Sequence, residues 1–319
     1  MHSFSELVAL FETRLNNTLP FPERPETLYE PCRYFMGIGG KRVRPVICLM
    51  ANELFGEITE DAYRAAMGVE LFHNFTLIHD DIMDKAPLRR GQTTVHTRNG
   101  LTAGILCGDV MAIYAYEQLA HIKTSLQQVL HLFNKTSIEV CEGQQLDMDF
   151  ENRDDVTIEE YIEMITLKTS VLLACSLKMG ALLGGATEGN ADKLYEFGKN
   201  LGIAFQLQDD YLDAFGAESG KIPGGDIIAN KKTYLLLKAM ENANDLQLTA
   251  INTLLQRDDE SKVPAMLSLF TNTGADVACR EAVAHYSQLA FNSLEEAAVQ
   301  SSRKKHLYDL ATYLLAREK

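Results

Sequence analysis

The chain has 319 residues, 46% hydrophobic and 23% charged, with 44 Asp and Glu against 30 Lys and Arg for a formal net charge of −14. That acidic balance excludes a general nucleic-acid binder, whose surface is basic. It admits phosphate ligands only where metal ions or a local basic cluster offset the repulsion. The six cysteines stand singly, with no Cys-x-x-Cys pair, which points to buried thiols in a reducing cytoplasm.

In chain order, residues 1–17 carry Glu6, Glu12 and Arg14 through a helical pattern and lack the basic and apolar regions of a signal peptide. Helical spacing then recurs almost everywhere, and alternating strand-like runs are scarce. Val69, Phe72 and Leu77 sit among Glu70, His73 and Asp80. Phe197, Leu201, Phe205, Leu212 and Phe215 line one side of a segment whose other side carries Gln206, Asp209 and Asp213. Breaks fall at 20–25, 37–40, 87–91, 152–157, 184–190, 216–225 and 257–264. Lys178 interrupts the longest apolar tract, 171–185, and no run of about 18 uncharged apolar residues exists, so no membrane span is expected. With no linker and no solenoid period, the expectation is one all-α domain over 1–319.

Two segments share the spacing Asp-Asp-x-x-Asp. The first is His79-Asp80-Asp81-Ile82-Met83-Asp84; the second is Gln208-Asp209-Asp210-Tyr211-Leu212-Asp213. On a helix, Asp80 and Asp84 stack about one turn apart and repel each other unless a cation relieves them. Mg²⁺ suits such a pair, because it takes a few carboxylates and keeps waters or phosphate oxygens as its other ligands. A lone cluster of this kind could be a solvated acidic face; two identical ones on apolar helices, with basic motifs nearby, point to metal-held diphosphate.

Three basic elements accompany them. Gly39-Gly40-Lys41-Arg42-Val43-Arg44-Pro45 sets glycines ahead of a point charge, Lys41, and a bidentate fork, Arg44. It is not a Walker A loop, since Phe35 and Arg42 stand where that motif needs Gly and Ser or Thr. Arg89 and Arg90 follow the first acidic cluster, where guanidinium could grip a diphosphate opposite the metal. Lys168-Thr169 comes later, and a glycine-rich segment with Lys221, Asp226, Lys231 and Lys232 follows the second cluster, as a mobile flap would. No Ser–His–Asp or Cys–His arrangement suggests a protein nucleophile.

Taken together, Gly-Gly-Lys-x-x-Arg, Asp-Asp-x-x-Asp with Arg-Arg-Gly, Gly-Gln-x-x-Asp from Gly143 to Asp147, Lys-Thr and Gln-x-x-Asp-Asp-x-x-Asp resemble the trans-isoprenyl diphosphate synthases. The resemblance runs from about Gly37 to Thr233; the C-terminal third carries no motif of that family. It implies a helical bundle around a deep central cavity, a homodimer, and head-to-tail (1'-4) condensation of isopentenyl diphosphate with an allylic diphosphate (dimethylallyl, geranyl or farnesyl). It implies about three Mg²⁺ ions, with Mn²⁺ able to substitute. Carried over, Asp80, Asp84 and Asp209 are direct metal ligands, and Asp81, Asp210 and Asp213 act directly or through water. Arg89, Lys168, Lys221 and Lys231 hold the allylic diphosphate; Lys41, Arg44, His73 and Arg90 hold isopentenyl diphosphate. Gln206 and Asp147 line the cavity, and backbone carbonyls near Lys168 and Thr169, with the Gln206 side-chain oxygen, stabilise the allylic cation. The 223–225 stretch and Asn230, where many relatives have Gly, depart from the family pattern.

Product length is read from the helix before Asp80. Phe75 lies about 7.5 Å and Phe72 about 12 Å back along the axis, where a ring would floor the cavity. Phe75 and the uninserted first cluster resemble short-chain synthases, giving geranylgeranyl diphosphate (C20), with farnesyl diphosphate (C15) as the alternative. A terpene cyclase would not need Lys41, Arg44 and His73, and a non-catalytic subunit of a heteromeric synthase would commonly lose one aspartate motif.

Overall fold

The structure is a computed structural model that describes residues 1–216, 224–257 and 259–316. Side-chain caps start several of its helices: Ser3, Thr59, Thr157, Thr233 and Asn244 each accept a backbone N–H in the first turn. Pro45 and Pro264 sit in first turns, where a missing N–H costs nothing, so residue 264 belongs to a helix rather than to the break expected there.

Among the described residues the helices are α1 (Phe4–Thr18), α2 (Glu26–Gly37), α3 (Val43–Phe55), α4 (Glu60–Met83), α5 (Val95–Asn99), α6 (Leu101–Ala120), α7 (Leu126–Phe150) and α8 (Ile158–Ile165). They continue with α9 (Val171–Leu183), α10 (Glu188–Phe215), α11 (Gly225–Ile228), α12 (Tyr234–Asn242), α13 (Asp245–Leu255), α14 (Lys262–Asn272), α15 (Ala275–Glu296) and α16 (Ser301–Leu315). A π-helical turn, Thr166–Ser170, follows α8. The all-α class expected from the periodicity holds. The single exception among the described residues is an antiparallel ribbon, β1 (Leu88–Arg89) and β2 (Gln92–Thr93), where the sequence suggests only a break.

The chain groups into two compact units. The first comprises Met1–Phe133, Ser176–Asp192 and Ser302–His306. In it α4 packs along α6, α3 lies on α1 and α4, and α2 on α6. Its core includes Leu7, Phe11, Val46, Leu49, Met50, Val69, Leu71 and Phe72, all essentially shielded from solvent. The second comprises Asn134–Cys175, Lys193–Ser301 and Leu307–Lys319. There α12 contacts α8, α14 and α15, over a core that includes Phe150, Tyr161, Leu207, Leu235, Met266 and Phe270.

The stretch Ile158–Leu183 is long and apolar enough to cross a membrane by length and composition, but 72% of that window is buried within the protein. Burial of that kind is the mark of a core helix. All six cysteines are free thiols, and only Cys141 is exposed.

Candidate active site

The first acidic cluster closes α4, with Asp84 as its C-cap. The three carboxylates do not behave alike. Asp80 is partly exposed and Asp84 exposed, whereas Asp81 is 1% exposed. Asp81 Oδ1 accepts from Arg89 Nε at 2.7 Å. The β1–β2 ribbon makes that pair possible, because it folds the chain back against the end of α4 with Arg90 in the left-handed region at φ 53°. Burial raises the Asp81 carboxyl above its usual range, against the pull of the Arg89 guanidinium.

Beside it lies a cluster of guanidinium groups around His73. Arg44 Nη1 is 3.1 Å from His73 Nε2, and Arg90 Nη1 donates to the Gly39 carbonyl. Burial lowers the His73 imidazole well below its ordinary 6.5, and the charges of Arg44, Arg90, Arg89 and Arg42 lower it further. His73 is therefore neutral at neutral pH and accepts from Arg44. Arg44 itself is pushed down to about 10 by burial and the Arg90 charge, with Glu70 opposing, and its Nε has no hydrogen-bond partner. Lys41 is exposed on the same loop. The structure thus brings Arg44, His73 and Arg90 together as expected, and gives the two guanidiniums only neutral hydrogen-bond partners.

In the second unit, Asp209 and Asp213 are partly exposed on α10 and Asp210 is buried between them. Asp210 Oδ2 accepts from the Tyr161 hydroxyl and from the Tyr234 N–H at 3.3 Å, and Oδ1 accepts from Gln206 Nε2 at 3.3 Å. Burial pushes the Asp210 carboxyl up to about 7, against the hydrogen bond from Tyr161. Asp213 Oδ2 accepts from the Asp226 N–H at 2.9 Å, which ties α11 to the cluster. The π-turn presents Lys168, whose Nζ donates to Asp147, and Thr169, whose Oγ1 is 3.5 Å from Gln206 Oε1. Gly143 permits this approach: a Cβ there would lie 2.2 Å from the Lys168 backbone nitrogen.

Lys231 pairs with Asp226 at 3.6 Å and Lys232 with Asp154 at 3.4 Å. Lys221 lies outside the described residues. Asn230, the departure noted in the sequence, sits at φ 55°, a left-handed position that Asn tolerates, and donates to the Leu255 carbonyl at 3.0 Å. On α4, Phe75 stacks edge-on against Phe72 at 5.3 Å and His79 at 5.0 Å, and Phe72 against Phe133 at 5.1 Å. Phe72 is 3% exposed, while Phe75 is only half-buried.

Residues 25–270 match the sequence profile of the polyprenyl synthetase family. The chain belongs to the polyprenyl synthetase family. It is a prenyltransferase with that family's all-α fold. It is 39% identical to a geranylgeranyl diphosphate synthase of Methanosarcina mazei over 92% of this chain and 91% of that one. A crystal structure of a geranylgeranyl pyrophosphate synthase superposes with a TM-score of 0.95 at 42% identity, covering 100% of both chains. The geranylgeranyl pyrophosphate synthetase of Pyrococcus horikoshii does so with a TM-score of 0.92 at 34% identity, covering 98% of each.

Several residues around the candidate site escape the sequence reading. Arg42 and Glu70 form a buried ion pair at 2.5 Å, and Tyr161 holds Asp210. Gln144 has both amide atoms buried without partners, in the same motif as Asp147; the Gly-Gln-x-x-Asp pattern was the signal that could have singled it out. Among the described residues no three His, Cys, Asp or Glu side chains converge to hold a metal ion. The donor set still fits Mg²⁺, which binds through one or two carboxylates and completes its shell with water and substrate phosphate. Asp80 with Asp84, and Asp209 with Asp213, are one helical turn apart and are the accessible members of each cluster.

Proposed function

We propose that this prenyltransferase condenses isopentenyl diphosphate with allylic diphosphates to make geranylgeranyl diphosphate. The observation that carries the reading is the His73 cluster. Two guanidiniums, Arg44 and Arg90, are held by a neutral imidazole and a carbonyl, next to an acidic cluster that has its own arginine. A guanidinium whose own hydrogen-bond partners are neutral favours an incoming anion, and a diphosphate supplies it. Arg44, His73, Arg90 and Lys41 bind isopentenyl diphosphate without metal. A cyclase, with one diphosphate to bind, has no use for that second pocket.

The allylic diphosphate falls to Asp80, Asp84, Asp209 and Asp213 through Mg²⁺, with Arg89, Lys168, Lys221 and Lys231 as direct cationic contacts. When bound, Mg²⁺ would neutralise charge building on the departing diphosphate. Asp81 and Asp210 support from within: Asp81 orients Arg89, and Asp210 fixes Gln206. Thr169 and Gln206 turn oxygen dipoles toward the allylic cation while apolar walls exclude water. No protein nucleophile is needed, because the isopentenyl double bond attacks. Phe75, half-buried beside His79, stops the growing chain.

We also propose a homodimer formed through α6, which exposes Leu101, Ile105, Leu106 and Ile113, and a cytoplasmic location in keeping with six free thiols. Incubation with Mg²⁺, labelled isopentenyl diphosphate and each of the C5, C10 and C15 primers, followed by chromatography, tests the activity. A C20 product is expected; failure to incorporate label would refute elongation.

A further inference from the structure

Arg42 makes three side-chain hydrogen bonds, and no motif of the site uses it. It caps α3 in the left-handed region, φ 49°, with its side chain 2% exposed. Its Nε donates to Glu12 on α1 at 2.6 Å, Nη1 to Glu70 on α4 at 2.5 Å, and Nη2 to the Met36 carbonyl at the end of α2 at 3.0 Å. One guanidinium therefore joins four helices at the bend that carries Lys41 before it and Arg44 after it.

Glu70 is the carboxylate inside this arrangement. It is 3% exposed, and besides Arg42 it accepts from Asn74 Nδ2 at 2.9 Å. Its charge also acts on Arg44 and on Arg90, raising the proton affinity of both. Asp81 answers Arg89. Without Glu70, Arg42, Arg44 and Arg90 would repel one another across a neutral His73, and the loop holding Arg44 would lose its tether to α4.

We infer that Glu70 and Arg42 are positioning residues that preform the isopentenyl diphosphate pocket, and that Glu12 couples the N-terminal helix α1 to it. The inference rests on the assignment of that pocket to Lys41, Arg44, His73 and Arg90. Glu70 touches no substrate. Its charge offsets the repulsion among the arginines while the pocket is empty, so that binding does not have to assemble them against it. Glu12 acts one step further out, fixing the plane of Arg42 from α1, and with it the direction in which the bend aims Arg44.

Steady-state kinetics with isopentenyl diphosphate and an allylic primer, each varied in turn, test this on wild type, Arg44→Gln, Glu70→Gln and Glu12→Gln, with melting curves alongside. Glu70→Gln is expected to raise KM for isopentenyl diphosphate about tenfold or more while leaving KM for the primer within about twofold. Glu12→Gln, on a side chain 33% exposed, is expected to raise the isopentenyl KM about threefold with no comparable change for the primer. A purely structural role would change both KM values together, or leave both unchanged while the melting temperature falls. If Arg44→Gln leaves the isopentenyl KM unchanged, the pocket assignment itself fails. If Arg44→Gln raises it but Glu70→Gln does not, the positioning role is overturned. Should Glu70→Gln not fold, Glu12→Gln decides alone, and an isopentenyl KM within twofold of wild type overturns the inference.

Discussion

Arg44 Nη1 lies 3.1 Å from His73 Nε2, so a partly buried cation is held by a neutral imidazole rather than by a carboxylate. Such a cation weakens the free protein and strengthens anion binding. Arg44→Met should therefore leave stability unchanged or raise it by about 1 kcal/mol, and weaken isopentenyl diphosphate binding about a hundredfold. Melting curves and calorimetric titration check the two halves; a strong loss of stability would mean that Arg44 is a structural residue.

The same imidazole makes stability depend on pH. Its folded pKa lies well below the ordinary 6.5, so below that pH the unfolded chain binds a proton that the folded chain refuses. The contribution of His73 is present in full above about 6.5 and is lost as pH falls, at about 1.4 kcal/mol per pH unit. Ligand-free His73→Gln should lose less melting temperature than wild type between pH 7 and pH 5. Equal losses in the two proteins would show that His73 is not the group responsible.

The members of the first acidic cluster should separate by kind. Asp80→Ala and Asp84→Asn each remove an accessible carboxylate; for the exposed Asp84, one turn from Asp80, stability should hold or rise by about 0.3 kcal/mol. Turnover should fall about a hundredfold or more, as expected for a lost metal ligand. Asp81→Asn does the reverse in the first respect. It leaves Arg89 without its carboxylate and should cost about 2 kcal/mol. Near-normal turnover by Asp80→Ala would remove that residue from the metal site.

Phe72 and Phe75 lie one turn apart on α4 yet should fail differently. Phe72 is 3% exposed and stacked on Phe133, so Phe72→Ala should cost about 3–5 kcal/mol. Phe75 is half-buried, so Phe75→Ala should cost less and lengthen the product. An unchanged product length on chromatography counts against Phe75 as the floor.

Local pattern made the helices and both aspartate clusters legible, because each is a matter of spacing within a few turns. The breaks at 56–59, 121–125, 243–244 and 273–274 are not read from the sequence: they are short connections closed by caps such as Thr59 and Asn244, and carry at most a single glycine, Gly56 or Gly274. Two-residue strands fall below any periodicity window, which hid the ribbon that delivers Arg89. Partnerships were least legible. Arg42 and Glu70 stand 28 residues apart and Tyr161 and Asp210 stand 49 apart, and nothing in either local stretch announces the other. The clusters look uniform in sequence, whereas burial divides them: Asp81 and Asp210 turn inward while their neighbours stay accessible.

Unequal handling of two diphosphates is the central claim, and calorimetric binding with and without metal tests it most directly. Isopentenyl diphosphate and an unreactive thiolo analogue of an allylic diphosphate would each be titrated into the protein in excess EDTA and then in Mg²⁺. Isopentenyl diphosphate should bind equally well in both, and the allylic analogue should bind only with Mg²⁺. Loss of isopentenyl diphosphate binding in EDTA, or retention of the allylic analogue, would contradict the division between a guanidinium pocket and a carboxylate–metal site.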